Sequence, residues 1–174
     1  MSVTQKASQS EKSCLIWLWL ALVVIGLDYL TKQLAVSWLN YGDPVQLLPV
    51  FDLTLLYNYG AAFSFLAEAG GWQRWLFVLI AAVVSVILVL WMKRTQRSLW
   101  WIGMALSLIL GGALGNLYDR VVLGYVIDFI SVHYRYNYFP AFNLADSAIT
   151  LGAAILIFDT LFLERRRTNS EKAA

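Results

Sequence analysis

Asp128 and Asp146 are the residues of this chain best placed for chemistry. Each is a single carboxylate in strongly apolar surroundings, with Ile127, Phe129 and Ile130 around the first and Leu144 and Ala145 before the second. A carboxylate at or near hydrocarbon depth is expensive, so it faces a protein interior and usually has a task. Two of them at one depth suggest acid/base work at a membrane surface. Like charges in close contact resist double ionisation, so such a pair divides into one ionised and one neutral member. The ionised member takes a proton from a water. The neutral one hydrogen-bonds a scissile carbonyl and later helps protonate the departing amine. Either residue fits either role at this stage, because a coupled pair titrates as a unit.

Amides and a cation gather at the same depth. Asn116 and Arg120 are four apart, hence on one helix face, with Asp119 beside them. Asn143 and Asp146 are three apart at the start of the last apolar segment. Taken singly, Asp128 fits a turn or sheet edge, and Asp146 fits a helix start favoured by the dipole. Neither reading explains the gathering. Competing chemistries fare worse. Cys14, the only cysteine, precedes the first apolar core and cannot form an internal disulfide. Ser147 has no nearby Lys or His, and His133, the only histidine, shows no partner signature. One His and a remote Cys cannot supply a usual zinc ligand set, so neither metal nor cofactor is expected.

The elements that position these groups follow from composition. Of 174 residues, 60% are hydrophobic and 14% charged, with a mean hydropathy of +0.64; a soluble domain carries about 25% charged residues. Four segments have the length that a ~30 Å hydrocarbon core demands: about 15–34, 73–92, 99–118 and 140–161. The expected fold is therefore all-α membrane, four spans, with a small antiparallel β-rich domain at the outer surface. Residues 39–71, with the β-branched and aromatic run 45–57 bent at Pro49, and residues 121–132, interrupted by Gly124, supply that domain. The tails, 1–12 and 168–174, read as polar and disordered. Span one lacks a cleavage site of small residues after its core and is not a removable signal.

Charge sets the orientation. Lys6 and Lys12 precede span one, Lys93, Arg94 and Arg97 fill the turn between spans two and three, and Arg165, Arg166, Arg167 and Lys172 follow span four. No basic residue lies between Lys32 and Arg74, a stretch holding Asp43, Asp52 and Glu68. The positive-inside rule puts both termini in the cytoplasm and the polar cluster at the outer face. The net charge of +2 is thus a topology signal, and no nucleic-acid partner is expected.

Gly103, Ser107, Gly111 and Gly115 form a small-residue stripe on span three, and Ala141, Ala145, Ala148 and Gly152 offer a matching surface on span four. Asp28 and Lys32, four apart near the outer end of span one, read as a pair that supports the outer domain; snorkelling of Lys32 to lipid phosphate is the alternative. Asp159 is thirteen residues from Asp146, or ~20 Å along a helix, too far to join its chemistry.

Five ordered motifs make the chain recognisable: Asp28-Tyr29-Leu30-Thr31-Lys32; Asn58-Tyr59-Gly60-Ala61-Ala62-Phe63; 111–120, ending Asn116-Leu117-Tyr118-Asp119-Arg120; Gly124-Tyr125-Val126-Ile127-Asp128-Phe129; and Phe142-Asn143-Leu144-Ala145-Asp146-Ser147. From about Leu15 to Phe162 the chain resembles the bacterial lipoprotein signal peptidases, the type II signal peptidases, which are integral-membrane aspartic proteases. Tyr29 stands where that family usually has Gln. The resemblance implies that Asp128 and Asp146 are the catalytic aspartates. It makes Asn58, Gly60, Asn116, Arg120 and Asn143 substrate-binding or supporting residues, with Asp28 and Lys32 as a further characteristic pair. It also implies the substrate, a prolipoprotein already carrying diacylglycerol on its lipobox cysteine, cut immediately before that cysteine. The implied setting is the bacterial inner membrane, with membrane lipids as partners and the chain acting as a monomer. Phe63, Phe65 and Trp72 would clamp the peptide at the interface.

Two other classes stay open beside the protease. One is a small proton-coupled membrane transporter using the two acids as a relay; the other is an assembly factor whose polar cluster holds a partner helix. The transporter reading lacks acids in the middle of the spans.

Overall fold

The computed structural model describes residues 13–60 and 70–163. Phe63, Phe65, Glu68, both tails and the basic residues Lys6, Lys12, Arg165, Arg166, Arg167 and Lys172 lie outside the described residues.

Among the described residues four helices are long and apolar enough to cross a membrane, which makes the chain a multi-pass membrane protein. They are α1 (Leu18–Trp38, entered through a 3-10 turn Cys14–Trp17), α2 (Trp72–Arg94), α3 (Trp100–Val122) and α4 (Leu144–Phe158, prolonged by a π turn Asp159–Leu163). The hub is α3. Of its span 56% is buried, against 22%, 11% and 17% for the others, and each of the other three helices packs on it.

Missing side chains let the helices approach. A Cβ at Gly111 would lie 2.7 Å from the Val24 Cβ of α1, and one at Gly112 would lie 2.3 Å from the Ala145 carbonyl oxygen of α4. The stripe 103–115 therefore packs mainly against α1 and its entry turn, rather than against span four as expected. The face that meets α4 is rotated by one to two residues, and Gly152 answers it from α4 by lying against Ala105 and Ile109. Without a hydrophobic drive between helices in lipid, this close backbone contact is what holds them.

At one end of the bundle the turn after α2 closes on the entry turn of α1, where Cys14 N–H donates to the Thr95 carbonyl. The other end carries an antiparallel sheet of β1 (Val45–Leu48), β2 (Phe51–Asn58), β3 (Val126–Tyr134) and β4 (Asn137–Tyr138), in that spatial order. Pro49 sits in the turn between β1 and β2. Leu56 pairs with Asp128, and Asn58 with Val126. Leu55, Ile127 and Phe129 anchor the sheet on Ala35 of α1. Two boundaries differ from the sequence reading. Val121 and Val122 complete α3, and the strand begins only after Gly124, whose φ of +92° turns the chain. The last helix starts at Leu144 rather than near Pro140, because Asn143 caps it.

Candidate active site

Asn143 organises the site. Its backbone is extended, and its side-chain oxygen accepts from Asp146 N–H at 2.9 Å while Asp146 Oδ2 accepts from Asn143 N–H at 3.4 Å. This reciprocal box satisfies two of the donors that a helix start leaves open. With the amide oxygen so engaged, the amide nitrogen faces β3 and donates to Asp128 Oδ1 at 2.8 Å. One fully buried asparagine thereby touches both aspartates.

Two more amides are oriented by the same logic. Asn58, the last residue of β2, accepts from Gly60 N–H at 3.0 Å, and its nitrogen donates to Asp128 Oδ2 at 3.0 Å. Asn116 of α3 accepts from Lys32 Nζ at 3.0 Å and donates to Asp146 Oδ1 at 2.7 Å. Both oxygens of each aspartate thus meet N–H donors. Asp128 is buried, 2% exposed, whereas Asp146 is only partly buried and offers the more open side. Burial, then the neighbouring Asp146 charge, push the Asp128 carboxyl up to about 7, against the pull of the Asn58 and Asn143 hydrogen bonds. Two carboxyls joined through one asparagine, with amide donors on both, are suited to dividing into one protonated and one ionised member.

Beneath this pair lies a second cluster. Lys32, 1% exposed, sits between Asp28 Oδ2 at 2.7 Å and Asp119 Oδ2 at 2.8 Å. Asp28 Oδ1 accepts from Ala145 N–H at 2.9 Å, and Asp119 Oδ2 accepts from Ile127 N–H at 3.3 Å. Lys32 is therefore a buried counter-ion and does not snorkel. The cluster ties α1, α3, α4 and the start of β3 together. Arg120 completes the ring: its guanidinium donates to the Gly60 carbonyl at 3.1 Å and lies over Phe77 of α2, 5.1 Å from the ring centroid. The structure brings all nine singled-out residues, Asp28, Lys32, Asn58, Gly60, Asn116, Arg120, Asp128, Asn143 and Asp146, into one connected network.

Sequence reasoning noted Asp119 without giving it a partner and overlooked Arg74. Arg74, in the first turn of α2, donates to the carbonyls of Arg120 at 2.6 Å and Val121 at 2.7 Å. These are end-of-helix carbonyls that α3 cannot satisfy itself. An arginine at the mouth of an otherwise uncharged span was the available signal. His133 does have a partner: its Nε2 lies 3.1 Å from Asp52 Oδ2 across the sheet. Ser147 Oγ donates to the Asn143 carbonyl, and the buried Cys14 thiol donates to the Gln96 carbonyl at the opposite end of the bundle. Asp159 accepts from Trp101 Nε1 at 2.7 Å, far from the aspartates. Among the described residues no three His, Cys, Asp or Glu side chains are grouped to hold a metal ion.

Membrane helices thus enclose an acid pair held by amides, and comparison with known proteins gives the class and the family. The model of the signal peptidase (SPase) II family matches residues 20–162. The lipoprotein signal peptidase of Acinetobacter baumannii (strain ATCC 17978) is 55% identical over 159 residues, spanning 91% of this chain and 90% of that protein. That of Pseudomonas aeruginosa (strain UCBPP-PA14) is 57% identical over 145 residues, spanning 82% and 86%. Two solved bacterial membrane enzymes share the fold. One, at 2.3 Å resolution, has a TM-score of 0.74 and 34% identity over 84% of this chain and 87% of its own. The other, at 1.9 Å, has a TM-score of 0.73 and 31% identity over 88% and 98%. The chain belongs to the signal peptidase II family and is a peptidase.

Proposed function

We propose that Asp128 and Asp146 are the catalytic pair of an aspartic endopeptidase that removes signal peptides from diacylglyceryl-modified prolipoproteins. The cut falls immediately before the lipidated cysteine. The observation that carries this reading is Asn143, which holds a buried carboxyl raised to about 7 beside a second, more open one. Asp146, fixed by Asn116, takes the proton from a water between the two acids. Asp128, still protonated, hydrogen-bonds the scissile carbonyl, and the proton from water passes to the leaving amine. Asn58, Gly60 and Arg120 shape the approach to Asp128, and Asp28 and Lys32 brace the helices beneath.

The relatives' name and the motif resemblance support the substrate class. Physically, two acyl chains hold the cysteine at interfacial depth, where one chain alone attaches only marginally. The setting is the bacterial inner membrane, with both termini cytoplasmic, the acid pair at the outer face and the chain working as a monomer. The acids cluster at the sheet end of the bundle, which supports a surface hydrolase over a proton-coupled carrier.

The test is incubation of purified protein with a diacylglyceryl-modified precursor and with the same precursor unmodified, read by gel shift. The modified form is expected to be cut and the unmodified one cut at least ~100-fold more slowly, on the scale of affinity that a lost anchor removes; equal rates would refute the lipid requirement. For sidedness, a cysteine placed at Asp43 in a Cys14→Ala background is expected to react with an impermeant thiol reagent from outside, and one placed at Gln96 is not. The reverse labelling pattern would overturn the orientation.

A further inference from the structure

A groove of about 330 Å³ lies between α1 and α3 and shares only Asp28 and Asp119 with the polar clusters above. Gly26 and Tyr29 line it from α1, and Gly115 and Tyr118 from α3, with Asp28 and Asp119 behind. We propose that it seats an acyl chain of a resident membrane glycerophospholipid, with the lipid's ester region between Tyr29 and Tyr118. The proposal does not depend on the assignment of the catalytic pair.

Gly26 is the first reason. Apart from proline, glycine is the residue least favourable to a helix interior, so an interior glycine calls for an explanation. Gly111, Gly112 and Gly115 have one, because a Cβ at each would strike a neighbouring helix. A Cβ at Gly26 would meet nothing within 4 Å. What its absence leaves is room in the groove.

The lining supplies the ligand's chemistry. Both Asp28 oxygens are engaged, one by Lys32 and one by Ala145 N–H, and the remaining surface is almost wholly apolar. An apolar cavity is a poor site for water, and an empty one forfeits dispersion contacts along its walls. Its volume falls in the ~300–1,000 Å³ range of ligand pockets. Hydrocarbon surrounds these helices, so an acyl chain is the occupant at hand.

Tyr29 and Tyr118 then fix which end of the lipid lies where. They meet edge to face at 6.0 Å between ring centroids and are each roughly half exposed. Tyr29 follows Asp28, whose contact with Ala145 puts it level with the first turn of α4. Amphipathic rings at this depth suit the ester and headgroup layer. The lining includes none of Asn58, Asp128, Asn143 and Asp146, which favours a resident lipid over the substrate's own chains.

The experiment is native mass spectrometry of the full chain, reconstituted in bilayers of phosphatidylethanolamine and phosphatidylglycerol and released into mild detergent. The unaltered chain is expected to retain a single phospholipid, and Gly26→Leu, which fills the groove, to lose it by about tenfold in occupancy. Gly26→Ala is expected to keep it. Should Gly26→Leu fail to fold, Tyr118→Ala is expected to show the same loss. The retained lipid is expected to stay when diacylglyceryl-modified precursor is added. Equal occupancy in the chain and its groove-filling variant, absence of retained lipid, or displacement by precursor would each overturn the proposal.

Discussion

Two carboxylate pairs lie side by side in this protein, and they are handled in opposite ways. Asp28 and Asp119 share a buried lysine, with Lys32 Nζ within 2.8 Å of both. Among the described residues, Asp128 and Asp146 have no cation within ion-pair distance and are held by amides instead. Asn116 belongs to both groups, taking a hydrogen bond from Lys32 and giving one to Asp146. A cation in contact engages acids in ion pairs, whereas neutral donors fix their positions and leave a proton's place open. The first pair is thus suited to bracing helices and the second to moving protons.

Removing acid character from the second pair should have the largest effect. Asp128→Asn or Asp146→Asn is expected to lower precursor cleavage at least ~1,000-fold, within the range for loss of acid/base catalysis, while insertion and detergent behaviour stay near those of the parent. Substantial turnover by either folded variant would erase the distinction between the pairs.

The converse change tests the brace. Lys32→Met strands two buried carboxylates, and breaking a buried ion pair costs about 3–5 kcal/mol. Thermal unfolding in detergent is expected to show that loss, and further replacement of Asp28 by Asn to restore part of it. If Lys32→Met leaves stability intact but lowers turnover as much as the Asp128 variant, the lysine belongs to the chemistry and the contrast fails.

The sequence made the second pair visible because carboxylates inside apolar runs are conspicuous, and the spacing of Asn143 and Asp146 placed them together. It could not show that Asn143 turns its amide nitrogen toward Asp128, since that follows from a cap formed only once α4 starts at Leu144. Beyond Asp28, the partners of Lys32 were hidden for a related reason: Asn116 is 84 residues away, and only helix packing brings it near. Val121 and Val122 read as strand by β-branching, yet they continue α3 because Arg74 binds the carbonyls there. The small-residue stripe was plain, but which helix it meets depends on a rotation of one to two residues that periodicity does not fix.

Infrared difference spectroscopy of the protonated carboxyl band tests the central claim, that the amide-held pair keeps a proton on Asp128 near neutral pH. A raised carboxyl is protonated below its pKa and gives up its proton as pH rises through it. The band is therefore expected at pH 6, to vanish with a midpoint near the value of about 7, and to be missing in Asp128→Asn. In Asp146→Asn the midpoint is expected to fall, because the neighbouring charge that helps raise it is gone. In the unaltered chain, turnover is expected to decline by about tenfold per pH unit above that midpoint. An Asp128 already ionised at pH 6, or a midpoint indifferent to Asp146→Asn, would contradict it.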